Sequence, residues 1–113
     1  MIRVSTVDEI EQLAETFKAL ADPTRLRLVK LLGERVAGEV EPDECGGGPL
    51  CVNALAHRLG ITQSAVSQHL RVLRQARLVK GERRGAFVHY SLDQDGTSRV
   101  KAILQETLGE RFG

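Results

Sequence analysis

The stretch from residue 52 to residue 91 constrains the fold of this chain more than any other part. It reads VNALAHRLGITQSAVSQHLRVLRQARLVKGERRGAFVHYS. Two short amphipathic segments flank Gly60, and two segments of strand-forming residues follow them. Glycine suits a sharp turn between helices, because a residue with a Cβ is strained at positive φ. The stretch therefore predicts a helix-turn-helix followed by a β-hairpin, which is a winged helix-turn-helix.

The remaining sequence predicts three further helices. Apolar residues at helical spacing predict a first helix over about 6–20 and a second over about 23–38, with Asp22 as N-cap and Pro23 in its first turn. The helix pair is expected at 51–59 and 63–75, the hairpin at 78–92 and the last helix at 97–112. Glu82, Arg83 and Arg84 are expected to form the hairpin tip. Residues 39–49 are rich in glycine, proline and acids, which predicts a loop. The chain is thus predicted to be one mainly α domain, residues 1–113, with a small β-hairpin and an aliphatic core.

A net charge of +1 conceals a separation of charge along the chain. Between Asn53 and Leu92 there are seven basic residues and one acid, whereas the first fifty residues hold ten acids and six bases. Scattered solvated charge would explain this segregation poorly. A local excess of cations in a neutral chain is typical of a nucleic-acid-binding surface, because each cation can neutralise a phosphate.

The sequence offers no sign of a membrane or of export. No apolar run approaches the ~18 residues of a membrane span. The N-terminus MIRVSTVDEIEQ lacks the apolar core of a secretion signal, and two cysteines without an export signal indicate a reducing compartment. We therefore expect a cytoplasmic protein.

The second helix of the predicted pair has the residues of a DNA-reading helix. Its outward positions are small or polar, so they would not hold the backbone away from a major groove. Gln68 could pair with adenine, Arg71 could pair with guanine or phosphate, and arginines on a wing suit the backbone or a narrow minor groove. The predicted DNA-contacting residues are Thr62, Gln63, Ser64, Ser67, Gln68, His69, Arg71, Arg74, Arg83 and Arg84.

The chain resembles the ArsR/SmtB family of winged-helix repressors. The resemblance is carried by ALADPTRLRLVKLL at 19–32, LCVNALAHRLGITQSAVSQHLRVLRQARLV at 50–79 and GERRGAFVHYSL at 81–92, about half of the chain. It implies a nucleoid-associated protein of a bacterium or archaeon. It also implies a homodimer joined by its first and last helices that binds a pseudo-palindromic operator in double-stranded DNA and represses transcription. The implied dimer contacts are Ile10, Leu13, Phe17, Val100, Ile103, Leu104 and Leu108. One departure is Arg77, where the family usually has glycine.

The resemblance also raises the question of an inducer, because many relatives release DNA when a metal or metalloid binds. Their thiolate motif is Leu-Cys-Val-Cys, and this chain has Leu50-Cys51-Val52-Asn53. Cys45 lies six residues before Cys51 and could supply a second thiolate. Three readings of Cys45 and Cys51 stay open: a soft metal or metalloid site, a reversible disulfide, or no sensing role. The histidines at 57, 69 and 89 are expected to be structural or close to DNA. The zinc site that some relatives have in the last helix is expected to be absent, since that region contains no histidine.

Other functional classes fit the sequence less well. A winged helix that binds a protein instead of DNA is the main alternative, and a DNA-binding regulator without small-molecule sensing is another. An enzyme is not expected, because the chain has no catalytic triad pattern and no paired-carboxylate motif. The glycines at 46–48 are followed by proline and not by the Lys-Ser/Thr of a phosphate-binding loop.

Overall fold

A computed structural model describes residues 6–37 and 50–109 of the chain, with side chains for 8–34 and 50–109. The predicted winged helix-turn-helix is present, with one additional short strand. In chain order the elements are α1 (Thr6–Leu20), α2 (Pro23–Ala37), β1 (Leu50–Cys51), α3 (Val52–Leu59), α4 (Gln63–Gln75), β2 (Val79–Arg84), β3 (Phe87–Leu92) and α5 (Gln94–Thr107). The predicted loop at 39–49 and the ends of the second and last predicted helices lie outside the described residues.

The three strands form an antiparallel sheet in the order β1-β3-β2. The prediction that the third helix begins at Leu50 or Cys51 was wrong, because these residues pair with Tyr90 and His89 of β3. Pairing with β3 needs extended backbone, so the helix begins one residue later, at Val52. Cys51 becomes its N-cap, with φ −81° and ψ 166° and no hydrogen bond from its side chain to the helix.

The hairpin turn also differs from the prediction. Glu82, Arg83 and Arg84 are not at the tip but in β2, where they lie opposite His89, Val88 and Phe87. The turn consists of Gly85 and Ala86, with Gly85 at φ 63°. A two-residue turn between twisted strands needs positive φ, and the glycine supplies it. Arg83 and Arg84 therefore project to opposite faces of the wing, as successive residues of a strand do.

The last helix begins three residues before its predicted start at Thr97. Asp93 is the N-cap, and its Oδ1 accepts a hydrogen bond of 3.1 Å from the backbone N–H of Gly96. The helix ends at Thr107, and Gly109 follows in the left-handed conformation at φ 70°. The expectation that the helix reaches residue 112 was therefore wrong for residues 108 and 109, while 110–112 lie outside the described part.

The second helix begins as predicted. Asp22 Oδ1 accepts hydrogen bonds from the backbone N–H groups of Thr24, at 2.8 Å, and Arg25, at 3.1 Å. The Arg25 N–H, followed by the Thr24 N–H, holds the pKa of the Asp22 carboxyl below its ordinary value. Two of the N–H groups that the first turn leaves without helical partners are thereby satisfied.

The core is aliphatic, as the composition predicted, and it fixes the angle between α3 and α4. Leu55 of α3 and Val66 and Leu73 of α4 are completely buried. Burial of one such side chain stabilises the fold by roughly 1.5–3 kcal/mol. The other members of the cluster are Ala19, Leu28, Leu32, Leu50, Cys51, Ala54, Ala56, Leu70, Leu78 and Val79. The helix pair is thus held by packing from α2 and the sheet as well as by its own turn.

Candidate nucleic-acid interface

The turn between α3 and α4 has the geometry that the sequence predicted. Gly60 lies at φ 68° and ψ 33°, and its N–H donates a 2.9 Å hydrogen bond to the Ala56 carbonyl. The N–H of Ile61 donates to the same carbonyl at 3.2 Å. Thr62 then caps α4, because its Oγ1 accepts a 3.1 Å hydrogen bond from the Ala65 N–H. These local bonds set where the recognition helix α4 starts and in which direction it leaves the turn.

The recognition helix separates an apolar face from a polar one. Val66, Leu70 and Leu73 are buried against the rest of the domain. Apart from Gln75 in the last turn, the residues exposed on the helix and at its cap are all predicted DNA contacts, namely Thr62, Gln63, Ser64, Ser67, Gln68, Arg71 and Arg74. These residues recur every three or four positions, so they form a polar stripe along one side of the helix. The structure thus places seven of the ten predicted residues on the outer surface of one helix.

Gln63 has a partner within the protein that sequence reasoning missed. Its Nε2 donates a 2.9 Å hydrogen bond to Oδ1 of Asn53 on α3. Asn53 occupies the position of the second cysteine in the thiolate motif of the related repressors. In this chain that position therefore bonds the first residue of the recognition helix. The bond is exposed, so both groups can exchange it for contacts with water or a ligand.

His69 was predicted to be structural or close to DNA, and it does not lie on the exposed surface of the polar stripe. Its side chain is half-buried, and its Nδ1 lies 3.3 Å from Nη1 of Arg25 on α2. An arginine has only hydrogen-bond donors, so Nδ1 can join this hydrogen bond only as the acceptor, in the tautomer that carries the ring proton on Nε2. His69 thus contacts the corner between α1 and α2, and it does not share the exposed surface of the polar stripe. The helical spacing in the sequence could not show whether His69 points toward DNA or toward α2.

The wing presents two exposed arginines and an exposed aromatic residue. Nη2 of Arg84 lies 3.3 Å from Oε1 of Glu82, and both side chains are more than half exposed, so this pair contributes little to stability. Phe87 is directly opposite Arg84 and is 61% exposed. Sequence reasoning missed Phe87, whose exposure follows from the position of the turn. An open cleft lined by Asn53, Gln63, Phe87 and Tyr90 separates the wing from the start of α4.

The positive charge of the segment from Asn53 to Leu92 is entirely on the surface. All seven of its cations are exposed, namely Arg58, Arg71, Arg74, Arg77, Lys80, Arg83 and Arg84. Because these cations are already at the surface, they can contact phosphates of DNA bound along the recognition helix. The segregation of charge in the sequence therefore corresponds to accessible charge in the fold.

Only one of the two sensor candidates, Cys51, belongs to the described residues. Cys51 is 9% exposed and belongs to the core cluster, while Cys45 lies outside the described part of the chain. Within 6–37 and 50–109, no group of three or more His, Cys, Asp or Glu residues could hold a metal ion. His89 is the residue opposite Cys51 in the sheet, and its Nδ1 is buried without a hydrogen-bond partner among those residues.

The predicted dimer contacts divide into two groups. Ile10 and Phe17 are each 48% exposed, and Leu108 is more exposed still. Leu13 and Ile103 are only 5% and 6% exposed, so packing within one chain already covers them. The assignment of Leu13 and Ile103 to a dimer interface stays a prediction, and their burial shows that they also belong to the packing of one chain. Val100 and Leu104 are half-buried. A helix can carry one apolar face toward its own domain and another toward solvent, and α1 does so.

A recognition helix with an exposed polar stripe, followed by a β-hairpin with exposed arginines, defines a winged helix-turn-helix of the DNA-binding class. Residues 45–80 match the family model of the bacterial regulatory proteins of the arsR family. The chain belongs to this ArsR/SmtB family of transcriptional regulators, which are DNA-binding proteins and not enzymes. No helix among the described residues is long and apolar enough to span a membrane.

Three similar proteins support this placement. The transcriptional repressor SmtB homolog of Synechocystis sp. is 44% identical over 79% of this chain, which spans 58% of the length of that relative. The HTH-type transcriptional regulator NmtR of Mycobacterium tuberculosis is 43% identical over 86% of this chain and 68% of its own. A homodimeric winged helix-turn-helix DNA-binding domain from Mycobacterium bovis, a possible ArsR-family regulator, is 24% identical. It covers 96% of this chain and 88% of its own, with a TM-score of 0.68, and so has the same fold.

Proposed function

We propose that this chain is a homodimeric repressor that binds a pseudo-palindromic operator. The observation that carries the proposal is the polar stripe of α4, which is exposed while the opposite face of the helix is buried in the core. In this arrangement α4 enters a major groove with Ser64, Ser67, Gln68 and Arg71 toward the base edges. Small residues at the first two of these positions let the helix backbone approach closely.

The remaining cations act on the DNA backbone. Arg74 lies one helical turn beyond Arg71 and contacts phosphate. Thr62 and Gln63 are exposed at the N-terminus of α4, where backbone N–H groups and the helix dipole favour a phosphate. Arg83 and Arg84 project from opposite faces of the wing, so one contacts the backbone while the other reaches toward the minor groove.

Dimer formation follows from the apolar surface that one chain leaves exposed. Ile10 and Phe17 are seven residues apart on α1, which places them on one face, and Leu108 follows the end of α5. A second copy covers this surface, and the two-fold axis then sets two recognition helices about 34 Å apart on successive turns of DNA. The homodimeric state of the Mycobacterium bovis domain is consistent with this arrangement.

We infer further that an inducer acts at Cys51, as a soft metal or metalloid shared with Cys45 or as a thiol oxidation. Cys51 is both the N-cap of α3 and a strand residue paired with the wing. A change at this side chain would shift the helix-turn-helix and the wing together. A regulator without a sensor is the alternative. Operator binding by Cys51→Ser, with and without added metals and oxidants, separates them: an unchanged response excludes sensing through Cys51.

DNA binding itself is tested with duplexes selected from a random pool by the wild-type protein. Arg71→Ala should weaken binding about tenfold or more and relax discrimination at the base pair that Arg71 contacts. Arg83→Ala should weaken binding about tenfold or more and flatten the dependence of affinity on salt. Arg27→Ala removes an exposed cation of α2 and is the matched control. If the chain were a protein-interaction module, no sequence would be enriched and the three variants would behave alike.

A further inference from the structure

Arg25 connects three helices through a single side chain. Its Nε donates a hydrogen bond to the Ala19 carbonyl, and its Nη2 donates to the Lys18 carbonyl at 3.5 Å. Both carbonyls belong to the last turn of α1, where carbonyl groups have no partner within the helix. The positive guanidinium also complements the negative end of the α1 dipole. The remaining Nη1 is 3.3 Å from Nδ1 of His69 on α4.

The backbone of Arg25 is fixed as well as its side chain. Its N–H donates to Asp22 Oδ1, and this carboxylate also accepts a hydrogen bond from the Thr24 N–H. Lys18 and Glu15 are further charged residues beside this corner, and Nζ of Lys18 lies 3.4 Å from Oε2 of Glu15 on the exposed side of α1. The guanidinium is thus held at a defined position between α1 and α4.

Apolar packing between α1 and α4 is incomplete at this place. An open cleft separates the two helices and is lined by Lys18, Ala19, Arg25, Val72, Gln75 and Ala76. Apolar contact is not directional, whereas a hydrogen bond prefers a narrow range of distance and angle. The contact between Arg25 and His69 therefore adds a directional restraint on rotation of the recognition helix relative to α1, at a place where apolar packing is incomplete.

We propose that Arg25 is a positioning residue which, through His69, sets the orientation of the recognition helix relative to the dimer helix α1. The inference rests on the proposed function, because the orientation matters only if α1 meets its partner and α4 meets DNA. In such a dimer, the distance and angle between the two recognition helices depend on how each α4 is held against its own α1. The spacing of half-sites that the dimer accepts is then determined partly by this bond.

The test compares two substitutions of His69 on duplexes selected by the wild-type protein. The Oδ1 of His69→Asn occupies nearly the position of Nδ1 and can accept the bond from Arg25, whereas His69→Leu cannot. His69→Leu should lose about tenfold in affinity for the selected duplex, and His69→Asn should stay within about threefold of wild type. Affinity for unrelated duplex DNA should be the same in all three proteins. Circular dichroism and thermal unfolding identify any variant that fails to fold.

Half-site spacing provides a readout that a purely structural role would not change. Selected duplexes are lengthened or shortened by one base pair between half-sites. The wild type and His69→Asn should discriminate against these duplexes, and folded His69→Leu and Arg25→Lys should discriminate less. The double variant of Arg25→Lys with His69→Leu should bind no worse than the weaker single variant, because both remove one interaction.

The results distinguish a failure of this inference from a failure of the proposed function. If the wild type enriches no DNA sequence, the proposed function and the inference are both overturned. If the wild type binds, but folded His69→Leu matches it in affinity and in spacing preference, only the inference is overturned. Effects of Arg25→Lys and His69→Leu that multiply independently would also overturn it, since the two side chains would then act separately.

Discussion

The carbonyl oxygen of Arg77 lies against the backbone of Gly96, where a Cβ would come within 1.7 Å of that oxygen. The contact joins the residues just after the recognition helix to the first turn of α5. Arg77 has φ 62°, a backbone conformation that residues other than glycine rarely adopt. The close approach explains why position 96 requires glycine even though it lies inside a helix.

Gly96→Ala should therefore destabilise the protein, although alanine is the better helix former. The added methyl group must displace the backbone of Arg77, and we expect a loss of roughly 3 kcal/mol in the free energy of unfolding. Gly33→Ala is the control, because Gly33 also lies in a helix but its Cβ would meet only Leu92 Cδ1 at 3.6 Å. That variant should gain about 0.5–1 kcal/mol. Urea unfolding measures both, and equal stability of the two variants would refute the steric argument.

Arg77→Gly should relieve backbone strain. A residue with a Cβ in the left-handed region costs about 1–2 kcal/mol, part of which the greater flexibility of glycine in the unfolded chain offsets. Arg77→Ala keeps the strain and removes the same charge. We expect Arg77→Gly to be about 1 kcal/mol more stable than Arg77→Ala in chemical unfolding. If Arg77→Ala proved as stable as Arg77→Gly, the positive φ would carry no cost here.

The cap of the recognition helix should have a measurable effect on stability. Thr62→Ala removes the oxygen that accepts from the Ala65 N–H, and it should lower the free energy of unfolding by about 1 kcal/mol. Thr62→Ser keeps that oxygen and should remain close to wild type. Thermal unfolding of the two variants provides the comparison. A Thr62→Ser protein as unstable as Thr62→Ala would assign the effect to packing of the methyl group.

Asp22 should make stability depend on acid. Hydrogen bonds from the Arg25 and Thr24 N–H groups lower the pKa of Asp22 in the folded protein, so folding favours the carboxylate. The contribution of ionised Asp22 to the free energy of unfolding is complete above the ordinary aspartate pKa of about 3.9. It is lost as the pH falls through the lower pKa that Asp22 has in the folded protein. Asparagine can cap the helix without titrating. The unfolding temperature of wild type should fall relative to Asp22→Asn between about pH 5 and pH 2, and parallel curves would contradict this account.

The apolar residues of α1 should separate dimer formation from folding. Phe17→Ser changes a half-exposed residue and should shift the protein toward monomer, with little effect on the stability of each chain. Leu13→Ala empties a buried position of the same helix and should lower the free energy of unfolding by about 2–4 kcal/mol. Analytical ultracentrifugation and chemical unfolding distinguish the two effects. Monomers from Leu13→Ala and dimers from Phe17→Ser would reverse the assignment of the two faces.

Sequence reasoning predicted the elements of this protein better than their contacts. Gly60 and Thr62 identified the turn and the start of α4, because each signal depends on the local backbone alone. It missed the N-cap at Asp93 and therefore began α5 three residues late, although the capping residue was visible in the sequence. It placed Arg83 and Arg84 at the hairpin tip, whereas both lie in β2. The strand register depends on pairing with β3, which the local sequence did not reveal.

The sequence by itself determined five helices, a β-hairpin and a separate segment of positive charge, since helical periodicity, capping residues and turn glycines act over a few neighbouring residues. Tertiary structure decided the strand at Leu50 and Cys51, whose partners lie about forty residues away in β3. It also decided that His69 meets Arg25 and that Leu13 is covered while Phe17 is not. Periodicity identifies which residues share a helical face, but only packing determines whether that face meets its own chain, another chain or DNA.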